Sequence, residues 1–136
     1  MAVSKASTQV TWSSSNSTSV SSGSTATSDA MSISSDSFDA MITFKADNGG
    51  TPASGDTIDF YILYSTGDPD GASTDEYDAA DTLHGTFLCQ LDTNTTDPAQ
   101  RTVQIPVAAK GFKIYASSNA SSNSITVSSE LYEASA

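Results

Sequence analysis

The feature that most constrains this sequence is a series of short runs in which apolar and polar residues alternate. Turn-forming residues such as Gly, Pro, Asn and Asp separate the runs. Alternation with a period of two is typical of strands that bury one face in an antiparallel sheet. No stretch shows the spacing of three to four residues that an amphipathic helix requires. The runs are Phe38–Ala46, Ile58–Tyr64, Phe87–Leu91, Val103–Val107, Phe112–Ala116 and Ile125–Leu131.

These runs predict an all-β fold. With weaker strands at 9–12, 17–21 and 30–34, the chain has eight or nine strands in 136 residues. That number indicates an antiparallel β-sandwich, jelly-roll-like in its connections. Pro106 should lie at a sheet edge or a bulge, because proline cannot donate to the strand ladder. The residues expected in the core, each central to an alternating set, are Phe44, Phe60, Ile62, Ile114, Ile125 and Val127.

The first quarter of the chain differs from the rest. Residues 1–36 are rich in Ser and Thr and carry only sparse apolar residues, whereas residues 37–136 hold the dense alternating runs. The first segment is therefore either a set of edge strands on its own sandwich or an arm that becomes ordered on a neighbouring subunit. We expect it to help fasten the protein to its neighbours, with Trp12 as the anchor, because one large aromatic residue can dominate a small contact.

Charge and cysteine content exclude several classes of protein. Sixteen acidic residues against five basic ones give a net charge of −11, which argues against a nucleic-acid or anionic-membrane partner. Cys89 is the single cysteine, so it forms no intramolecular disulfide, and its alternation with Phe87 and Leu91 predicts a small buried apolar residue. The sequence shows no secretory signal and no apolar run of membrane-spanning length. We therefore expect synthesis in a cytoplasm without Sec export.

Catalytic and metal-binding patterns are weak. The acidic residues of the loop at 67–82 could be calcium ligands. However, Gly71 is the fourth residue when Asp68 is counted as the first, whereas an EF-hand loop requires glycine at its sixth position. The acidic residues there are better explained as solvated turn formers, with one helical turn at 75–80. His84 follows without a nucleophile motif. We predict no catalytic residue, no cofactor site and no metal site, and hence no enzyme.

Several large side chains fall on the polar faces of the predicted strands. The surplus residues of this kind are Met41, Tyr61, Leu63 and Tyr115, and interfaces favour aromatic residues and Met. Exposed aromatic residues leave a second class open, a carbohydrate-binding β-sandwich. The candidates for an aromatic platform are Trp12, Tyr61, Tyr77, Tyr115 and Tyr132.

The order of several segments resembles small virion proteins of tailed bacteriophages. The segments are Lys45–Leu63, Gly67–Gly71, Leu91–Asn94 and Asn123–Ser128, within a region from Phe38 to Tyr132. The resemblance implies a capsid decoration protein, or another head-associated virion protein, with a β-sandwich fold. It also implies that the major capsid protein is a partner and that the chain forms a homo-oligomer, a trimer rather than a dimer. A head-fibre or tail component is the alternative within the virion.

Overall fold

A computed structural model describes residues 2–136 and confirms the all-β antiparallel sandwich. Ten strands form two sheets that pack face to face. Within the described residues there is no helix, and so none with the length and apolarity to cross a membrane. The strands are β1 Ser4–Gln9, β2 Thr18–Val20, β3 Thr25–Thr27, β4 Met31–Ser32, β5 Ser37–Asn48, β6 Thr57–Ser65, β7 Thr86–Asp92, β8 Ala99–Ile105, β9 Gly111–Ser118 and β10 Ile125–Ser135.

The first sheet has the order β1–β10–β5–β8, and β2 also pairs with β10. All its strand pairs are antiparallel. The long strands β5 and β10 form its centre. On the side away from β5, β10 pairs with β2 near its start and with β1 toward its end. Sheet edges therefore lie at β8 on one side and at β1 and β2 on the other.

The second sheet has the order β3–β9–β6–β7, and β4 also pairs with β9. Its pairs are antiparallel as well. The two central strands β6 and β9 stay in register over their whole overlap, from Ile58 opposite Ser118 to Ser65 opposite Gly111. This rigid pair positions the side chains of the candidate site described below.

The core lies between the two sheets, and all six residues predicted to be buried are fully buried. Phe44 of the first sheet stacks on Phe60 of the second with ring centroids 4.5 Å apart. Cys89 on β7 is buried too, as its alternation predicted, and burial raises the pKa of its thiol to about 11. Alternation therefore identified the core because each strand has only one face toward the other sheet.

The N-terminal segment adds strands to both sheets of its own sandwich. β1 and β2 pair with β10, while β3 and β4 pair with β9. The first strand lies at 4–9 rather than 9–12, and the three-residue β3 was not foreseen. Val10 and Val20 belong to the shared core. The prediction of Trp12 as an anchor on a neighbour is wrong, since its side chain is only 3% exposed in that same core.

Two apolar residues expected on the buried face are exposed because the strand register shifts beside them. The β5–β10 pairing shifts between Ala134 and Ser135, which leaves Phe38 without a partner and 56% exposed. The β6–β7 pairing shifts between Phe60 and Tyr61. Beyond that bulge, Phe87 turns to the outer face of the sheet. A one-residue shift is sufficient, because neighbouring residues of a strand face opposite sides.

A buried polar network closes one end of the sandwich. The Asp56 carboxylate accepts hydrogen bonds from the Ala53 N–H at 2.9 Å, the Asn48 amide at 3.3 Å and the Ser121 N–H at 3.3 Å. Thr93 donates to the Asp56 carbonyl at 2.8 Å and accepts from Asn48 at 3.0 Å. The hydrogen bond from Ala53 has the largest effect in lowering the pKa of Asp56 below its ordinary value. The network therefore requires an ionised Asp56.

Candidate functional site

Three aromatic rings lie side by side on the outer face of the second sheet. Tyr61 on β6 is the middle ring, because its register partners are Phe87 on β7 and Tyr115 on β9. Its ring centroid lies 5.5 Å from that of Phe87, edge to face, and 6.0 Å from that of Tyr115. Tyr115 is nearly buried, Tyr61 is half-buried and Phe87 is 54% exposed. We call these three residues the aromatic face.

The exposure of Phe87 is built into the local sequence. Phe87, Leu88 and Cys89 are three consecutive apolar residues, which an unbroken alternation cannot bury together. The bulge resolves this conflict: Cys89 is buried and Leu88 packs against the core, while Phe87 points outward. The consecutive apolar residues are thus the sequence signal for an exposed Phe87. Alternation alone places Phe87 on the same buried face as Cys89.

A row of polar side chains continues the same face beyond the aromatic rings. Asp59 is two residues before Tyr61, so it shares the outer side of β6. Its carboxylate accepts hydrogen bonds from the Gln90 amide at 2.7 Å and the Asn119 amide at 3.2 Å. Gln90 and Asn119 are exposed. This polar row of Asp59, Gln90 and Asn119 offers acceptors and donors to solvent beside the aromatic face, and the sequence analysis did not identify it.

The acidic loop is largely exposed, but two backbone hydrogen bonds hold its later part against the sheet. Asp78 N–H donates to the Tyr64 carbonyl at 3.0 Å, and Glu76 N–H donates to the Gly67 carbonyl at 2.8 Å. The Lys110 ammonium lies 2.9 Å from the Asp75 carboxylate. No helical turn forms at 75–80, so that prediction is wrong. The N–H groups of Glu76 and Asp78 donate to the carbonyls of Gly67 and Tyr64 and not to carbonyls of a helical turn.

The segment after the loop covers part of the outer face. A β-carbon at Gly85 would lie 3.0 Å from a Leu63 methyl carbon and 3.1 Å from Tyr61 Cβ, so this segment runs directly over β6. As a result Leu63 is 1% exposed although it belongs to the outer side of the strand. The expectation that Leu63 is surplus at the surface is therefore wrong, and its own chain covers it.

His84 lies in the turn that follows the acidic loop. Its Nδ1 lies 3.0 Å from both carboxylate oxygens of Asp81. The Asp81 carboxylate also accepts the N–H groups of Leu83 and His84. These hydrogen bonds, led by the one from the His84 side chain, lower the pKa of Asp81. Within residues 2–136, Asp81 is the side-chain partner of His84, and the pair stabilises this turn.

Three carboxylates of the acidic loop come together. Oxygens of Asp68, Asp70 and Glu76 lie within 4.8 Å of one another. Such oxygens are the ligands that a hard cation such as calcium prefers. Asp68 also accepts the Ser73 N–H, and Asp70 accepts the Ala72 N–H at 3.0 Å. Two of the three thus serve as the turn formers that the sequence analysis expected.

The predicted aromatic platform is only partly assembled. Tyr61 and Tyr115 are brought together, and Phe87, which was not among the candidates, completes the aromatic face. The half-buried Tyr77 lies in the acidic loop with the Lys113 ammonium 4.8 Å from its ring centre. The 38% exposed Tyr132 lies on β10, in the other sheet. Trp12, being buried, takes no part.

Comparisons with known proteins extend the description of the fold. No protein-family model matches the sequence, and no curated protein matches it. The structure is similar to the C-terminal CBM6 of the laminarinase LamC from Zobellia galactanivorans, with 10% identity, a TM-score of 0.51, and coverage of 94% of this chain and 99% of that one. It is also similar to the CBM22-1–GH10 modules of Clostridium thermocellum xylanase 10B, with 11% identity, a TM-score of 0.53, and coverage of 84% and 20%.

A third similar structure is a chain of the acid-stable capsid of Helicobacter pylori bacteriophage KHP30. It has 14% identity and a TM-score of 0.48, with coverage of 97% of this chain and 93% of that one. At these identities the comparisons establish the β-sandwich fold that the chain shares with the two carbohydrate-active proteins.

Proposed function

We propose that this chain is a non-enzymatic structural virion protein of a tailed bacteriophage, which decorates and stabilises the capsid by packing against the major capsid protein and its own copies. The observation that carries the proposal is the aromatic face. Phe87 presents more than half of its surface to solvent, beside Tyr61 and Tyr115. An exposed aromatic ring that packs on neighbouring aromatic rings suits a site of contact, because interface cores are enriched in aromatic residues.

The sequence resemblance supports the same proposal. The resembling segments lie between Phe38 and Tyr132 and include parts of the central strands β5, β6 and β10. The net charge of −11 adds a condition on the partner. Because like charges across a contact are unfavourable, the matching capsid surface should be neutral or basic around its apolar centre. The three-fold positions of an icosahedral shell favour a trimer of this chain.

A binding experiment with capsid shells that lack this protein tests the proposal. Phe87→Ser should weaken binding about 30-fold or more, as expected when a central aromatic contact is lost. The matched control is Tyr132→Ser, which removes an exposed aromatic ring from the opposite sheet and should leave binding within about threefold of wild type. Equal binding by both variants, or no binding of wild type to shells, would contradict the proposal. Mass spectrometry of purified particles gives an independent answer.

The polar row favours one second candidate, a carbohydrate-binding module. Aromatic surface beside a few placed polar groups suits a neutral sugar, whose ring face is apolar and whose edge carries hydroxyls. A screen against neutral oligosaccharides, read by affinity electrophoresis, tests it. Asp59→Ala should then abolish sugar binding and leave shell binding within about threefold of wild type, because the polar row lies outside the aromatic contact. Absence of any retarded species in the screen rejects this candidate.

A further inference from the structure

The N-terminal strand β1 has one edge open to solvent. It pairs with β10 on one side only, and within residues 2–136 no strand pairs with its other side. Its residues from Ser4 to Thr8 are exposed, so neither face of the strand packs against the second sheet. Such a strand is held mainly by its hydrogen bonds to β10 and gains little from apolar burial.

The register identifies the backbone groups that face the open edge. Val10 N–H donates to the Ser129 carbonyl at 3.0 Å, which makes these two residues a hydrogen-bonded pair. In an antiparallel ladder, hydrogen-bonded and non-bonded pairs alternate. Residues 4, 6 and 8 therefore bond to β10, following the same register. The N–H and C=O groups of Lys5, Ser7 and Gln9 point outward.

The other sheet edges carry features that block pairing. β8 lies between Pro98 and Pro106, and its place at the edge of the sheet agrees with the prediction for Pro106. β7 contains the bulge at Phe87, and β3 and β4 are only three and two residues long. Prolines, bulges, short strands and charged side chains, Lys above all, are the usual means of protecting an edge. The six residues of β1 contain no proline and no bulge, and Lys5 is their single charged side chain.

Charge favours a second copy of this chain as the occupant of that edge. Two copies with a net charge of −11 repel each other wherever carboxylates meet. β1 contains no acidic residue and carries a positive charge at Lys5. Its other side chains are uncharged and most of them are small, so two such strands can approach closely. The edge strand β8 also lacks acidic residues and carries Arg101, but the prolines on both of its sides limit pairing there.

We propose that β1 pairs antiparallel with β1 of a second copy across a two-fold axis perpendicular to the first sheet. Such an axis keeps the outer faces of both sheets on the same side, so Lys5, Ser7 and Gln9 of each copy align. Centred on Ser7, the pairing opposes Ser7 to Ser7 and Lys5 to Gln9. No like charges are then opposite each other. The first sheet continues from one copy into the next. This two-fold contact forms between free copies, and it is separate both from the aromatic face and from the three-fold contacts of the trimer proposed on the shell.

Proline at position 7 tests the pairing because it removes a single outward N–H group. Ser7→Pro leaves the hydrogen bonds to β10 in place, whereas Ser7→Ala keeps the N–H and serves as the matched control. Ser7→Glu places two carboxylates opposite each other. In sedimentation velocity from about 1 to 300 μM, wild type and Ser7→Ala should associate into dimers. Ser7→Pro and Ser7→Glu should weaken that association at least about tenfold.

Amide exchange provides a second measurement. With rising concentration, the amides of Lys5, Ser7 and Gln9 should gain protection, while those of residues 4, 6 and 8 should change little because they already bond to β10. Wild-type monomer throughout the range, or dimerisation of Ser7→Pro and Ser7→Glu equal to wild type, overturns the proposal. Shell binding by the Phe87 variant is independent of this result, so the failure of one proposal is distinguishable from the failure of the other.

Discussion

Replacing Phe60 by alanine is the most direct test of the core. Phe60 is fully buried and stacks on Phe44 across the two sheets. Exposing a buried Phe costs about 1.5–3 kcal/mol in transfer free energy. Loss of the ring pair adds about 0.5–1.5 kcal/mol. The cavity lies between two hydrogen-bonded sheets that cannot collapse to fill it, so we expect a total loss of about 3–5 kcal/mol in the free energy of unfolding.

Equilibrium unfolding in urea measures this loss. Trp12 is the only tryptophan and is buried in the same core, so its fluorescence reports unfolding without an added probe. Phe87→Ala is the matched control, because it removes the same side chain from an exposed position. Its cost should not exceed the edge-to-face pair with Tyr61, about 0.5–1.5 kcal/mol.

The reasoning fails if the two alanine variants are equally stable. It also fails if Phe60→Ala costs less than about 1 kcal/mol, the range of ordinary substitutions away from a core. Either result would mean that Phe60 does not lie between the sheets. If one variant shows a changed slope of unfolding free energy against urea concentration, its unfolded state has changed. The extrapolated free energies of unfolding, and not the midpoints alone, are then compared between variants.

Three further predictions follow from other described contacts. Folding lowers the pKa of Asp56, so the ionised carboxylate stabilises the protein above its ordinary pKa, and this contribution is lost as the pH falls below about 4. At neutral pH, Asp56→Asn should therefore melt at a lower temperature than wild type. Its melting temperature should also fall less than that of wild type when acid is added. The Cys89 thiol is buried, and its pKa is raised to about 11. It should therefore not react with a thiol reagent at pH 8 until urea unfolds the protein, whereas rapid labelling without urea would show that β7 opens. A β-carbon at Gly111 would lie 2.5 Å from the Met31 carbonyl oxygen, so Gly111→Ala should cost about 1–3 kcal/mol in urea unfolding, and an unchanged midpoint would contradict this β4–β9 contact.

Alternation predicted the central strands because it reflects burial on one face only. Ile114 and Val127 are buried in the structure for that reason. The same argument failed at Phe38 and Phe87, where a shift in register between strands reverses the outward face. A register shift depends on the partner strand, which a single run of residues does not contain. Trp12 was misplaced because sparse apolar residues do not show which core they join.

The candidate site was harder to predict than the core. Tyr61 and Tyr115 could be proposed as exposed aromatic residues, but their contact depends on the pairing of β6 with β9. The polar row depends on the same pairing, since Asp59 and Asn119 are far apart in the sequence. The buried carboxylate of Asp56 was hidden in a turn-like segment. Polar residues in turns give no sequence signal that separates a solvated side chain from a buried, hydrogen-bonded one.

The central position of β10 has a consequence for synthesis of the chain on the ribosome. Of the ten strands within residues 2–136, β10 is made last, yet it pairs with β1, β2 and β5. Until residues 125–135 emerge, β5 lacks one neighbour and the first two strands have no sheet to join. Pairing of segments so distant along the chain slows folding, because loop-closure entropy is lost before the contacts form. The nascent chain therefore keeps β1, β2 and one side of β5 unpaired until residues 125–135 emerge, and only then can the first sheet assemble.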